Sequence, residues 1–147
     1  MSNQTLTKLN SEWALWFHKC DDNDWDFSSY TSLGTFDCIE DYSIIMNAFE
    51  PGHVENSMLF LMRDEIKPMW EAEENKDGGC ISFKVYKNQI YECWIQLANN
   101  LIGENLLKNG EQYLKVNGIS ISPKKTFSIL KIWFSDEETN DAKTYLN

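Results

Sequence analysis

The feature that most constrains the fold of this chain is a segment near its carboxyl end, residues 127–134, which reads as a strand with two well-defined faces. Successive side chains of a strand point to opposite sides of a sheet. One face carries Leu130, Ile132 and Phe134, and the other carries Ile129, Lys131 and Trp133. We assign the first face to the core. Residues 81–86 alternate between apolar and polar side chains, as a half-covered strand does.

Apolar residues recur at helical intervals in two further segments. The first follows Asp37, which has capping-box spacing with Glu40 and is the predicted N-cap, and it stops at Pro51. The second, residues 90–101, ends at Gly103, a residue type suited to a helix C-terminus. The chain is therefore predicted to combine a sheet with amphipathic helices.

The other predicted elements are shorter. Ser135 with Glu138 predicts a third helix that runs to the end of the chain. Further strands are predicted at 13–17, 57–61, 113–116 and 119–122, and a long charged loop at 63–79 has room for one helical turn. Because several strands follow one another near the end, we expect an α+β fold with an antiparallel sheet and helices on one face.

Length and composition predict a single domain. The chain has 147 residues, of which 42% are apolar, and this is enough to bury one substantial core. We expect a flexible tail at 1–8 and one domain at 9–147. No apolar run approaches the roughly 18 residues that span a bilayer, so we expect a soluble, cytoplasmic protein without membrane contact, and a monomer.

The four cysteines do not indicate a metal centre. Cys20, Cys38, Cys80 and Cys93 are scattered, with no Cys-x-x-Cys pair and no histidine at zinc spacing. Reduced thiols in or near the core are the simpler interpretation. We expect no metal and no cofactor.

The net charge of −10 limits what the protein can bind. Affinity for a long polyanion depends on many lysine and arginine contacts to phosphates, which this chain cannot supply. Any contact with nucleic acid must be small and local.

Two of the six tryptophans lie in polar, turn-rich segments. Trp25 lies among aspartates, and Trp70 stands between Pro68 and two further glutamates, directly before Glu71. An indole in such a setting is suited to stacking on a flat ligand, and a neighbouring carboxylate can accept from a base edge. These residues predict an aromatic clamp for a cationic purine. The alternative is that both indoles are ordinary packed aromatics.

Seven blocks of the sequence together resemble the mRNA cap-binding family of translation initiation factor 4E. They cover roughly residues 9–142 in the family's order: 13–19, the Trp25 loop, Phe36-Asp37 with Glu40-Asp41, 68–71, Asn75-Lys76 with Gly78-Gly79, Trp94 with 101–104, and 131–133. The resemblance implies a curved antiparallel sheet with three helices on its convex face and a cap pocket on the concave side. It also implies binding rather than catalysis.

The resemblance assigns roles to the aromatic residues. By position, Trp25 and Trp70 look like the tryptophans that hold the 7-methylguanine of the cap. Glu71 matches the carboxylate that accepts from the guanine edge, and Trp133 matches a third tryptophan beside the N7-methyl group. The implied partner is capped mRNA.

The residues that would meet the cap phosphates match less closely. Lys124 and Lys125 fall near an arginine of the family pattern, and Lys131 shares the predicted Trp133 face. Ile129 stands where a lysine is usual, and Cys80 replaces an arginine that is common after the two glycines. The alternative for each lysine is a solvated surface position.

The back of the molecule departs from the family. The tryptophan that receives the usual scaffold helix is replaced by Ser43, and a supporting leucine and glutamate are replaced by Asn99 and Gln96. The altered partner surface is formed by Leu9, Ile39, Ser43, Gln96 and Asn99. Interface affinity depends on a few buried anchors, so we do not expect tight binding of that helix.

Three functions remain open from the sequence. The first is cap binding in translation initiation or its control, with a dedicated scaffold partner. The second is a cap-binding repressor that does not recruit the usual scaffold. The third is a thiol enzyme that pairs Cys80 with His18 or His53, which nothing local in the sequence supports. We expect no enzymatic activity.

Overall fold

The computed structural model describes residues 6–69, 71–76, 78–104 and 116–135. Six strands form one antiparallel sheet. They are β1 (Lys8–His18), β2 (Thr31–Cys38), β3 (Met58–Arg63), β4 (Gly79–Tyr86), β5 (Val116–Pro123) and β6 (Phe127–Phe134). Their spatial order is β2-β1-β3-β5-β6-β4, so β6 lies between β5 and β4 although it follows both in sequence.

Four helices and one 3-10 turn connect the strands in the described ranges. They are the 3-10 turn Phe27–Ser29, α1 (Ile39–Asn47), α2 (Pro51–Asn56), α3 (Glu73–Lys76) and α4 (Ile90–Ile102). Helix α4 is amphipathic, with Ile90, Trp94 and Leu101 buried. It packs on the sheet together with α2, and α1 packs against β2.

The main core lies between the sheet and α1, α2 and α4. Alternate residues of the central strands fill it, since Leu59 and Leu61 of β3 point to the same side as Ile119 and Ile121 of β5. The face of β6 assigned to the core, which includes Leu130, Ile132 and Phe134, is buried in this cluster as predicted.

The opposite face of the sheet carries a smaller cluster. Its buried members are Phe60, Met62, Ile66 and Trp133, with Trp16, Tyr30 and Met58 packed around them. Both faces of β3 are therefore covered, and Phe60 and Met62 lie behind the candidate site.

The predicted fold class is confirmed: the sheet is antiparallel, curved and unclosed, with three helices against one face. Two of these helices, α1 and α4, correspond to predicted ones, and the third is α2. The helix predicted from Ser135 and Glu138 to the end of the chain lies outside the described residues, as does the predicted strand segment 113–115.

One predicted helix cap was wrong. Asp37 does not cap α1, because it is still in β2 and its carboxylate accepts from Lys8 Nζ at 3.1 Å; the N-cap is Cys38. Helix α1 ends at Asn47, before Pro51 as predicted, and Pro51 begins a further helix, α2, where a missing N–H is tolerated in the first turn. The Glu50 N–H donates to Nδ1 of His53 at 3.1 Å and closes a capping box there.

The structure describes the chain from residue 6 onward. Lys8 is the first residue of β1, and the N–H of Thr7 donates to the carboxylate of Glu40 in α1. Within the described ranges, no helix is long and apolar enough to cross a bilayer.

Candidate functional site

A cavity of about 200 Å³ opens on the face of the sheet that bears the smaller cluster. Residues from five regions of the chain line it: Trp25, Tyr30, Met58, Phe60, Pro68, Glu71, Ser120, Ile121, Ser122, Lys131 and Trp133. Three of the predicted base-binding residues, Trp25, Glu71 and Trp133, are therefore brought to one pocket. Lys131 joins them, as the parity of β6 predicted.

Strand register explains the floor of the cavity. Phe60 of β3 lies opposite Ser120 of β5, which lies opposite Lys131 of β6, so the three side chains form one row across the sheet. Trp16 of β1 continues the row on one side. The floor thus passes from aromatic to hydroxyl to ammonium groups.

Trp133 is mostly buried, with 6% of its surface exposed. Its indole Nε1–H donates to Oγ of Ser120 at 2.9 Å, and its ring meets Phe60 edge to face with centroids 6.3 Å apart. Because the indole N–H is engaged by Ser120, Trp133 offers the cavity its carbon edge rather than a hydrogen-bond donor.

Trp25 forms one wall and is 47% exposed. The aspartates around it shape its loop, since the N–H of Asp24 donates to Oδ1 of Asp22 and the N–H of Asp26 donates to Oδ1 of Asp24, both at 2.9 Å. These are the local side-chain turns that aspartate favours. The indole is parallel to the imidazole of His18, with centroids 4.1 Å apart and an interplanar angle of 4°.

Tyr30 lies beneath this wall and was not predicted as a site residue. Its ring contacts those of His18 and Phe60, with centroids 4.8 and 5.5 Å away. Burial, with a smaller effect from the Glu71 carboxylate, raises the pKa of Tyr30 to about 12. The phenol therefore stays protonated at neutral pH and can act as a hydrogen-bond donor in the cavity.

Glu71 is exposed and lies on the loop that follows β3. The loop is tied to the sheet by Asn75, whose Nδ2 donates to the carbonyl oxygens of Lys67 and Met69 at 3.2 and 2.8 Å. Asn117 of β5 donates to Oδ1 of Asn75 at 2.8 Å, and both amides are buried. This amide pair fixes the segment that holds Glu71. Trp70, the second predicted clamp residue, lies outside the described residues.

The predicted phosphate ligands separate into two groups. Lys131 is half-buried and lines the cavity. Lys124 and Lys125 are exposed in the turn between β5 and β6, where the N–H of Lys124 donates to the carbonyl of Phe127 at 2.8 Å, and they are not among the described lining residues. The structure adds Lys84, which lies opposite Ile129 and so occupies the same face as Lys131.

A second cavity of about 270 Å³ lies on the helical side, between α1 and α4. It is lined by Tyr42, Ser43, Met46, Asn47, Tyr91, Glu92, Ile95 and Asn99. Tyr42 donates to Oδ1 of Asn99 at 2.7 Å, and burial raises the pKa of the Tyr42 hydroxyl. Two residues of the predicted partner surface, Ser43 and Asn99, thus meet in one groove.

The other three residues of that surface lie outside the lining of this cavity. Ile39 is exposed at the start of α1, Gln96 is exposed on α4, and Leu9 packs partly buried against the main core. The predicted surface is therefore one groove with flanking positions rather than a single pocket.

In the described residues, an open antiparallel sheet has helices on one face and an aromatic pocket containing a carboxylate on the other. The family model for eukaryotic initiation factor 4E matches residues 8–147. The chain belongs to the eukaryotic initiation factor 4E family.

Relatives and solved structures agree with this assignment. Eukaryotic translation initiation factor 4E of Xenopus laevis is 27% identical over 144 residues, covering 94% of this chain and 66% of the relative. The crystal structure of Ascaris suum eIF4E-3 with m7G cap has a TM-score of 0.80 at 26% identity, covering 95% of this chain and 79% of that one. The complex of C. elegans eIF4E-3 with the 4E-binding protein Mextli and cap analog has a TM-score of 0.81 at 26% identity, covering 95% and 80%. The chain spans slightly less than two thirds of the Xenopus protein's length.

Proposed function

We propose that this protein binds the 7-methylguanosine 5′ cap of mRNA and acts in translation initiation or its control. The observation that carries the proposal is the convergence of Trp25, Glu71 and Trp133 on one cavity in a chain of this family. The similar Ascaris protein has been crystallised with m7G cap. On this proposal the protein is a binding protein rather than an enzyme, and its place of action is the cytoplasm.

Stacking supplies the affinity for the base. Methylation at N7 makes guanine a delocalised cation, so an indole face attracts it by charge as well as by stacking, each stack being worth ~1 to 3 kcal/mol. We assign one stack to the exposed Trp25 and the other to Trp70. The carbon edge of Trp133 is suited to contact the methyl group, because its N–H is engaged by Ser120.

Glu71 supplies the selectivity for guanine. Its exposed carboxylate can accept two hydrogen bonds from the N1–H and the amino group of guanine, a charge-assisted contact worth about 1.5 to 3 kcal/mol. Adenine would present an acceptor at the same position and would be rejected.

Lys131 is our principal candidate for the cap phosphates. It is half-buried in the cavity, which limits the freedom of its side chain before a ligand arrives. Lys124 and Lys125, at the turn beyond Ser122, would meet later phosphates of the cap or the first nucleotide. The cysteine-enzyme alternative has less support, because both ring nitrogens of His18 face main-chain carbonyl oxygens rather than a thiol.

Titration of tryptophan fluorescence with 7-methylguanosine triphosphate and with guanosine triphosphate tests the proposal. We expect the methylated nucleotide to bind at least ~10-fold more tightly, because only it is cationic. Glu71→Gln should weaken its binding about 10- to 100-fold, whereas Glu73→Gln, an exposed control on α3, should change it little. Equal affinity for the two nucleotides, or equal effects of the two variants, would contradict the proposal.

The groove between α1 and α4 supports a second candidate role, a cap-binding protein that does not recruit the usual scaffold. Ser43 offers no aromatic anchor at its own position in this groove, and Oδ1 of Asn99 accepts from Tyr42. The similar C. elegans protein forms a complex with the 4E-binding protein Mextli, so a dedicated partner is also consistent with the family. Submicromolar binding of the usual scaffold peptide would count against both the repressor and the dedicated partner.

A further inference from the structure

His18 is a fully buried imidazole behind the exposed wall of the cavity, and the proposed binding chemistry does not use it. It is the last residue of β1. Its Nδ1 lies 2.8 Å from the carbonyl oxygen of Lys19, and its Nε2 lies 2.7 Å from the carbonyl oxygen of Asp24. The ring therefore bridges the first residue after β1 and the residue directly before Trp25.

Both contacts can be hydrogen bonds in only one protonation state. A carbonyl oxygen accepts and never donates, whereas a neutral imidazole has a single N–H. In either neutral tautomer, one ring nitrogen would face a carbonyl oxygen lone pair to lone pair. The imidazolium donates from both nitrogens and satisfies both carbonyls.

The indole of Trp25 and the acidic loop around it are suited to interact with a positive charge on the His18 ring. The indole of Trp25 lies parallel over the ring at 4.1 Å, an arrangement in which an aromatic face attracts a cation. The loop residues 19–26 include four aspartates against one lysine. Tyr30 presents a neutral phenol on another side, and Met58 of β3, which pairs with His18 across the sheet, contributes no charge.

We propose that His18 is an imidazolium that positions Trp25, so that ligand binding in the cavity depends on the protonation of His18. While the proton is present, the two N–H groups hold residues 19–24 and keep the indole parallel to the ring. When the proton is lost, one of the two hydrogen bonds is lost and the ring holds the segment at only one of the two carbonyls. Order at Trp25, and with it stacking on a ligand, should therefore decrease as pH rises.

The first test measures protonation in the free protein. The chain has two histidines, and in the other, His53, Nδ1 accepts from the Glu50 N–H. With 15N-labelled histidine and a His53→Gln variant for assignment, NMR at pH 7 should show protons on both ring nitrogens of His18. A His18 with one bare nitrogen at pH 7 would overturn the proposal.

The second test measures positioning. Protection of the amides of residues 19–26 against hydrogen exchange should fall roughly fivefold or more as His18 loses its proton. His18→Phe retains the stack on Trp25 without donors or charge, so its protection should not depend on pH in this range. If this protection changes with pH in the same way in the wild type and in His18→Phe, the proposal is overturned. If His18→Phe does not fold, the NMR measurement on the wild type still decides the proposal.

The third test measures ligand binding and rests on the proposed function. Guanosine triphosphate is the better probe here, because the base is neutral and is not repelled by an imidazolium across the indole. Its affinity for the wild type, divided by that for His18→Phe, should decrease as pH rises. If neither methylated nor unmethylated nucleotide binds at any pH, the cap-binding proposal fails, while the two measurements on the free protein still decide the role of His18.

Discussion

At the residue scale, Arg63 has the most demanding environment of the described charged residues. It is buried at the end of β3, and its guanidinium donates to the carbonyl of Val116 at 2.8 Å, to Oγ of Ser11 at 2.6 Å and to the carboxylate of Glu104 at 3.2 and 3.3 Å. It also lies 4.6 Å from the centre of the Trp13 ring. One side chain therefore joins β1, β3, β5 and the end of α4.

Removing the carboxylate partner of Arg63 should strongly destabilise the fold. The side chains of Arg63 and Glu104 are only 5% and 7% exposed, so Glu104→Ala leaves a buried charge poorly compensated, at a cost of about 3 kcal/mol in the free energy of unfolding. Urea denaturation followed by far-UV circular dichroism measures this.

The matched control is the exposed pair of Lys8 and Asp37, whose side chains are 65% and 51% exposed. Asp37→Ala should lower the free energy of unfolding far less than Glu104→Ala does, since solvent screens surface pairs. Similar losses of unfolding free energy in Glu104→Ala and Asp37→Ala would show that burial does not set the strength of the Arg63–Glu104 pair.

The site residues differ in how far sequence could reveal them. Trp25 and Glu71 stand out because their polar flanks are unusual company for an indole, and Trp133 follows from strand parity and the family pattern. Tyr30 and the Asn75–Asn117 amide pair were missed. Their roles depend on contacts between segments, up to 42 residues apart, that no local pattern encodes.

At the element scale, β5 lies beside β3 so closely that Gly118 has no room for a side chain. A Cβ there would lie 2.4 Å from the carbonyl oxygen of Leu61 and 2.5 Å from Sδ of Met62. Gly118→Ala should therefore displace backbone in the centre of the sheet and destabilise the fold by about 3 kcal/mol. Thermal and urea unfolding measure the effect.

Gly52, in the first turn of α2, provides the comparison. A Cβ at that position meets nothing within 4 Å. Gly52→Ala should leave stability unchanged or raise it by about 0.4 to 1 kcal/mol, because alanine restricts the unfolded chain. Equal destabilisation by the two substitutions would mean that the close approach of β3 and β5 is not the cause.

The attachment of the chain's first described residues to α1 should depend on pH. The N–H of Thr7, just before β1, donates to Glu40, and this hydrogen bond lowers the pKa of the Glu40 carboxyl below its usual 4.5. A lowered folded-state pKa means that the stabilisation is present above the unfolded pKa and is lost as pH falls through the folded value. The difference in unfolding free energy between wild type and Glu40→Gln should therefore shrink on acidification.

Asp41→Asn, in the same turn of α1, is the control for this titration. It removes a carboxylate without removing the acceptor of the Thr7 N–H. A wild-type to Glu40→Gln difference that stays constant from pH 7 to pH 3 would exclude the proposed linkage.

The ends of helices and strands were predictable where apolar residues recurred with a clear helical or strand period and where a residue typical of an element's end, such as Gly103, was present. Strand β6 begins and ends as predicted, and α4 ends before Gly103. Strand β2 was missed because its residues are mostly exposed and Gly34, with φ of 141°, interrupts their alternation. It is a strand because it pairs with β1, which is a tertiary effect that overrides local preference.

At the scale of the whole molecule, a net charge of −10 is combined with lysines on one face of the sheet near the cavity. Binding of a capped oligonucleotide should therefore depend weakly on salt, with a slope set by one to three phosphate contacts rather than by a long track. Lys131→Ala should reduce affinity and lower the salt slope by about 1.

Lys8→Ala, at the start of β1 beside Asp37, is the control for this measurement and should leave the slope unchanged. An uncapped oligonucleotide of the same sequence should not bind measurably at physiological salt. A steep salt dependence, or strong binding without a cap, would contradict the expectation that the protein contacts only one to three phosphates.

The order of strands in the sheet has a consequence for how this chain folds during synthesis. Strand β4 reaches the rest of the sheet only through β6, which is translated about fifty residues later. A nascent chain that ended before residue 127 would leave β4 without its neighbour and the cavity without Lys131 and Trp133. Non-local pairing of this kind is slow and leaves apolar edges open to chaperones and to self-association. The lining of the cavity is therefore complete only after residues 127–134 have been synthesised.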